Sequence, residues 1–492
     1  MLFIEFLLLS ISVLYIAFSR SANSGMNKQY IIGILAILIA AHLIFGGYRW
    51  QMLPTYIIWG IALITALRQS DQSHNATLIS RIMKTTGLVL LLIPAVLFPL
   101  VFPVFELPET TGAYAVGTTD ILFETDREEG ITADPSDTRQ FMIKAWYPSK
   151  DHNGEQDPYI DPAGRAGFAQ KYGLPPSMLH YLDGIETNVF RNNSVAAESF
   201  PVLIFSHGYH SQANGYYALL SEIASQGYIV FAINHTYEST GTTFPDGTEV
   251  YFDNQYARTI ESNTWKTINP VVDAFKERMD FDERHPIVQK ALTTYFARDI
   301  IERWTRDIVD VTDALDEWNQ SGLFEGRLNI SEIGVFGHSR GGGAAGEALL
   351  TDDSIKAGAN LDGVQWGQIV NTAFQKPFLF LSSDWPEEHE DLNQHAYVNR
   401  SRSIFYEATL LESGHSNFMD IPYMIPVQAL NLAGDIDRDL AIEISNKLTV
   451  SFFDKYLKNL EADLSKMAKE YDNLEMNIYS GDSMQVISKV IH

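Results

Sequence analysis

Ile333-Gly334-Val335-Phe336-Gly337-His338-Ser339-Arg340-Gly341-Gly342-Gly343-Ala344-Ala345 is the stretch on which the fold turns. A short apolar run of strand length enters a serine bracketed by glycines, and small residues suited to a closely packed helix follow. Where strand, turn and helix succeed one another in this way, the serine occupies a strained turn. Glycines flank it because side chains there would collide with neighbouring backbone. The pattern G-x-S-x-G in this setting predicts a nucleophile elbow with Ser339 as the nucleophile.

A serine needs a base, and the base needs an acid to orient it. In the chain order of folds built on this elbow both lie downstream, the acid first. His415, in Glu412-Ser413-Gly414-His415-Ser416, follows the last predicted strand and is the candidate base. His389 and His395 stand in an acidic loop instead. Two acids compete: Asp362 ends the predicted strand 357–361, and Asp384 follows the strand 378–382. Both sit at carboxyl ends of strands, where such sheets place their sites, and spacing leaves both open. Ser206-His207-Gly208-Tyr209 follows another apolar strand, so the backbone N–H groups of Tyr209 and Arg340 are the expected oxyanion hole. His207 is read as a structural histidine that shapes this turn.

No metal or other cofactor is expected. His389-Glu390 has its next histidine at His395, which misses the H-E-x-x-H spacing of two zinc ligands on one helical face. Asp435, Asp437 and Asp439 resemble the start of a calcium loop, but Leu440 stands where its sharp-turn glycine belongs. They read better as acids at the N-terminus of a helix over 440–457, favourable with its dipole.

Around these motifs, short apolar runs at 141–146, 202–206, 229–234, 333–337, 357–361, 378–382 and 404–411 alternate with amphipathic stretches at 216–225, 298–318 and 342–350. The alternation predicts an α/β fold, a mostly parallel sheet with helices on both faces. The stretch 235–332 exceeds what one crossover needs. Residues 239–295, which contain the turn Pro245-Asp246-Gly247, are the candidate lid.

The chain of 492 residues is 46% apolar and 20% charged, contains no cysteine and carries a net charge of −26. Thiol nucleophiles and cysteine-ligated metals are therefore excluded, and a nucleic-acid partner is not expected because phosphate binding needs clustered Lys and Arg. The charge is uneven: residues 1–105 hold six Lys/Arg and two Asp/Glu, the remainder 29 and 59. In that first part four apolar runs, 2–19, 31–47, 53–67 and 88–105, predict about four transmembrane helices, with 106–492 as the catalytic domain. Arg20, Lys28, Arg68, Arg81 and Lys84 flank the first and third connections, and Arg49 alone the second. This asymmetry predicts an integral cell-membrane protein with its catalytic domain on the extracytoplasmic side. Glu5 and His42, ionisable within apolar runs, are candidates for a role there.

The chain after the fourth run resembles the plasma and type II intracellular platelet-activating factor acetylhydrolases, or lipoprotein-associated phospholipases. The resemblance runs from Thr111-Gly112-Ala113-Tyr114-Ala115-Val116-Gly117 to about Leu457. It takes in Ala145-Trp146-Tyr147-Pro148, Phe205-Ser206-His207-Gly208, Gly337-His338-Ser339, Leu361-Asp362, Gly434-Asp435-Ile436-Asp437 and Ser445-Asn446-Lys447. It implies an α/β-hydrolase with a Ser-Asp-His triad that cleaves short or oxidised acyl chains from phospholipids, and it selects Asp362 over Asp384. The family has an aromatic residue where this chain has Arg340, whose competing roles are a surface salt bridge and a contact to an anionic headgroup. The rival functions are a carboxylesterase or polyesterase acting on non-phospholipid esters, and an inactive hydrolase fold serving as a membrane sensor.

Overall fold

Strand β4 (Phe200–Ser206) is buried at every position, as an apolar run sandwiched between two helical layers must be. It lies in the middle of the molecule's main sheet. The computed structural model describes residues 3–18, 28–45, 47–67, 78–262, 264–368, 371–372, 375–384, 395, 401–480 and 485–490. The chain divides into two compact units, residues 1–105 with 423–431, and residues 106–422 with 432–492.

The first unit contains α1 (Phe3–Phe18), α2 (Lys28–Phe45), α3 (Leu53–Leu67) and α4 (Leu78–Val101). These helices correct the expectation of a transmembrane bundle: among the described residues, no helix is long and apolar enough to cross a membrane. At 1.5 Å per residue α1, α2 and α3 reach about 22 to 27 Å, short of the ~30 Å hydrocarbon layer. The longer α4 carries Arg81 and Lys84 in its first turns and contains Pro94 and Pro99. The predicted integral membrane association, cell-membrane location and extracytoplasmic orientation fall with the bundle. The first and third connections, on which that orientation rested, lie largely outside the described residues. Glu5 and His42 have local partners: Glu5 is ion-paired with Arg49, and His42 is hydrogen-bonded to Tyr56.

In the second unit the strands are β1 (Ala115–Glu128), β2 (Thr138–Ser149), β3 (Val189–Arg191), β4, β5 (Ile229–Asn234), β6 (Gly241–Thr243), β7 (Glu249–Tyr251), β8 (Leu328–His338), β9 (Ile355–Leu361), β10 (Phe378–Ser383), β11 (Phe405–Leu410), β12 (Leu474–Ser480) and β13 (Gln485–Val490). Among the described residues eleven of them form one sheet in the order β13-β12-β11-β10-β9-β8-β4-β5-β2-β1-β3. The central run from β5 through β4, β8, β9 and β10 to β11 is parallel. It is flanked by antiparallel β2 and β1 on one side and by β12 and β13 on the other.

The helices that matter for the site are α5 (Pro162–Lys171), α6 (Tyr217–Ser225), α7 (Asn254–Glu261), α8 (Thr264–Lys276), α9 (Phe281–Leu292), α10 (Ala297–Gln320), α11 (Arg340–Thr351) and, further on, α12 (Arg438–Leu457). In α10 the buried residues Ile300, Ile301, Trp304, Ile308, Val311 and Leu315 recur every three or four positions, so one stripe faces the sheet. That stripe joins Ala344 and Ala348 of α11 and Val202, Ile204 and Val335 of the sheet in one core. On the opposite face Phe453 of α12 packs edge-on against Phe336 of β8. The acids before α12 act as read from the sequence, for the Asp437 carboxylate caps the helix by accepting from the N–H groups of Asp439 and Leu440. The stretch 239–295 folds as the small β6–β7 ribbon followed by α7, α8 and α9.

Candidate active site

Between β8 and α11, Ser339 adopts φ 55° and ψ −123°, a backbone conformation costly for any residue with a side chain. The flanking glycines meet the steric demand expected of them. A Cβ on Gly341 would lie 2.1 Å from the Ser206 carbonyl oxygen, and one on Gly337 would lie 2.3 Å from that of Gly341. Close approach of the elbow to the end of β4 thus requires hydrogen at both positions.

Asp362 follows β9 with φ 54°, a left-handed conformation that aspartate tolerates better than most residues. One carboxylate oxygen accepts from the Ser383 N–H at 2.7 Å and the Ser383 hydroxyl at 2.8 Å. The other lies 2.6 Å from Nδ1 of His415. The acid is fully buried and the imidazole 31% exposed, so one face of the pair is open to a ligand. With the Nδ1 proton directed at Asp362, Nε2 of His415 is the acceptor. Asp384 is engaged elsewhere: its carboxylate accepts from the Glu412 N–H at 2.9 Å. The structure therefore brings Asp362, and not Asp384, to His415.

A second set of contacts ties His415 to the turn after β4. The Gly208 N–H donates to the Tyr216 hydroxyl at 2.9 Å, and that hydroxyl lies 2.8 Å from Nδ1 of His338. Nε2 of His338 in turn lies 3.1 Å from the carbonyl oxygen of His415. Burial, and then the neighbouring His415, push the His338 pKa well below the ordinary histidine value. A neutral ring accepts from Tyr216 and donates to His415, so it suits both contacts. Tyr216 and His338 escaped the sequence reading, and the one signal available was the place of His338 inside the elbow motif.

Among the described residues the backbone N–H groups of Tyr209 and Arg340 have no hydrogen-bond partner. A Cβ on Gly208 would stand 3.2 Å from Cβ of Ser339, which puts this turn directly beside the elbow. His207 is fully buried, with Nδ1 2.7 Å from the Gly208 carbonyl and Nε2 accepting from the His235 N–H at 3.2 Å. Burial keeps it neutral, its pKa well below the usual value. The Arg340 side chain forms no salt bridge among the described residues; it donates to the Tyr295 hydroxyl at 3.0 Å.

His338, Asp362 and His415 bring three potential metal-ligand atoms within 4.8 Å of one another. Their donor atoms are already engaged with Tyr216, Ser383, the His415 carbonyl and each other. His395 is buried against His285 and Arg284. His389 lies outside the described residues. Ser339, Arg340, Asp362 and His415 all line one cavity of about 870 Å³. Ile268, Val271 and Phe275 of α8 supply apolar wall on one side, and Val364 and Trp366 on another.

A parallel sheet with an elbow serine, and a histidine–aspartate pair opening on the same cavity, define an α/β-hydrolase. The sequence pattern of the family described as platelet-activating factor acetylhydrolase, isoform II, matches residues 100–478, and the chain belongs to that family. The platelet-activating factor acetylhydrolase of Canis lupus familiaris is 24% identical over 404 residues, covering 78% of this chain and 84% of the relative. A probable 1-alkyl-2-acetylglycerophosphocholine esterase of Arthroderma benhamiae is 23% identical over 276 residues, 51% of this chain and 59% of the relative. Among solved structures, a ferulic acid esterase from Streptomyces cinnamoneus superposes with a TM-score of 0.55 at 22% identity, covering 73% of this chain and 95% of that one. The protein is accordingly a carboxylic ester hydrolase.

Proposed function

We propose that this hydrolase removes short or oxidised acyl chains from phospholipids, with Ser339 as nucleophile, His415 as base and Asp362 as the acid that orients it. In this reading Nε2 of His415 takes the proton from the Ser339 hydroxyl as Oγ attacks the ester carbonyl. The negative charge that develops on the carbonyl oxygen is met by the Tyr209 and Arg340 N–H groups. The proton then passes from Nε2 to the departing lysophospholipid alcohol, and a water activated by the same histidine releases the acyl group. Residues 239–295 serve as the lid, α8 forming part of the acyl wall.

The observation that carries the reading is the 2.6 Å contact between Nδ1 of His415 and the buried Asp362, in a cavity that Ser339 also lines. Family membership supports the phospholipid ester as substrate. The test is hydrolysis by the purified chain of phospholipids graded in sn-2 acyl length, beside simple esters of the same acids. Turnover that falls as the acyl chain lengthens agrees with the proposal. Simple esters cleaved with every phospholipid refused would move the assignment to a carboxylesterase, and a chain inert on all of them and unlabelled by a fluorophosphonate would be a binding module.

A further inference from the structure

The Arg340 guanidinium is the cation nearest in sequence to the nucleophile, and its surroundings are unusual within this unit. Its carbon lies 5.5 Å from the ring centre of Tyr295 and 5.3 Å from that of Phe296, while one amino group donates to the Tyr295 hydroxyl. The two rings hold the planar group without neutralising it, and among the described residues its further N–H donors have no partner. Largely buried guanidiniums in the unit are paired: Arg139 with Glu129 and Asp307, Arg303 with Glu238, and Arg127 with Asp307 and Asp310. Among the described residues Arg340 has no such carboxylate.

Among the described residues the two acids that line the cavity are not paired with either of its cations. Asp362 is committed to His415 and Ser383, and Asp384 to the Glu412 N–H. A second cation, Lys276, lines the same cavity and is likewise in no ion pair among the described residues. The whole chain carries 61 acidic against 35 basic residues, so two cations without a carboxylate partner among the described residues, on one cavity wall, are not explained by a surplus of positive charge. A charge beside apolar wall is costly to leave uncompensated, and a bidentate donor such as Arg is matched by carboxylate or phosphate.

We infer that Arg340 makes this site selective for esters carrying an anionic group, phosphate or carboxylate, next to the scissile bond. The inference rests on the assignment of Ser339 as nucleophile, and it concerns the side chain of a residue whose backbone N–H that assignment also uses. For this reason the informative quantity is a ratio, in which any shared damage to the oxyanion hole cancels.

The experiment measures kcat/KM of the full chain on three matched esters. One is neutral, one carries a phosphate on the alcohol side, and one carries a carboxylate at the end of the acyl chain. In the wild type at least one anionic ester should be preferred over the neutral one, and the preference should weaken with added salt. R340Q should cut that preference at least tenfold, with R340K retaining part of it, since Lys keeps the charge and loses the fork. The anionic ester that loses its preference identifies whether the alcohol or the acyl side faces the guanidinium. An unchanged ratio in R340Q, with turnover persisting, would overturn the inference and leave the nucleophile assignment standing. No turnover of any ester together with no fluorophosphonate labelling of Ser339 would overturn both.

Discussion

The hydroxyl of Ser206 lies 2.8 Å from Nε2 of His235, whose Nδ1 lies 2.8 Å from a carboxylate oxygen of Asp307. These contacts form a serine–histidine–aspartate chain, and all three residues are fully buried. Asp307 also binds Arg139 at 2.6 Å. Burial alone would raise the Asp307 pKa, but Arg139 and His235 hold it well below the usual carboxylate range. The His235 N–H meanwhile supports the His207 ring beneath the turn that carries Tyr209. Its connectivity is that of a catalytic triad, but it is closed to solvent, whereas the imidazole of the His415–Asp362 pair is 31% exposed.

A fluorophosphonate reports that difference directly. Labelling should vanish in S339A and persist in S206A. S206A should instead cost about 1–3 kcal/mol of stability, because it strips a buried imidazole nitrogen of its partner. Labelling that disappears in S206A while the protein stays folded would reverse the assignment.

The acid is tested by two isosteric changes. Asp362→Asn presents an amide to Nδ1 of His415 and favours the wrong tautomer, so kcat should fall by about 10³–10⁴. Asp384→Asn keeps an oxygen for the Glu412 N–H and should change kcat less than about tenfold. A larger loss in Asp384→Asn than in Asp362→Asn would transfer the role.

Gly341→Ala drives a methyl into the Ser206 carbonyl, which stands 2.1 Å from the position of the new Cβ. Backbone cannot yield as a side-chain tip would, so several kcal/mol of stability should be lost. The elbow and the end of β4 would also be pushed apart. Thermal unfolding and kcat should therefore both deteriorate, and a variant with wild-type values in each would contradict the close approach.

Asp420 gives a pH dependence of stability. It is buried, and burial raises its pKa to about 7 although the Ala218 and Tyr217 N–H groups and the Tyr159 hydroxyl work the other way. Between pH 4 and 7 the folded chain holds a proton at this site that the unfolded chain has released, so its contribution to stability is lost as pH rises through that window. The slope reaches about 1.4 kcal/mol per pH unit. Asp420→Asn, which retains an acceptor for the N–H groups, should flatten this part of a stability–pH curve measured by denaturant unfolding.

How much was legible in the sequence followed from how local each signal is. β4, β5, β8, β9, β10 and β11 coincide with short apolar runs because strands buried on both faces have almost no polar positions. Ser339 was carried by the glycines around it. The long β1 went unread, since its one apolar triplet, Ile121 to Phe123, is short and is followed by five polar residues, Glu124 to Glu128. The apolar runs of the first unit are predicted from hydropathy, which sees composition and not the length of the helices they form. The path from Gly208 through Tyr216 and His338 to His415 joins side chains up to 122 positions apart, and sequence spacing carries no information about such contacts. The salt bridge considered for Arg340 gave way to aromatic neighbours for the same reason.

The torsion angles of Ser339 have an evolutionary implication. At φ 55° and ψ −123° a side chain works against the backbone by about 1–3 kcal/mol, whereas glycine enters that region freely. Ser339→Gly should hence yield a protein that no longer turns over ester yet unfolds at a higher temperature than its parent. With Ser339 as the proposed nucleophile, the inactive state lies downhill, and selection for turnover is what would hold the serine in place. Any lineage released from that selection would gain robustness by the same step that ends the chemistry.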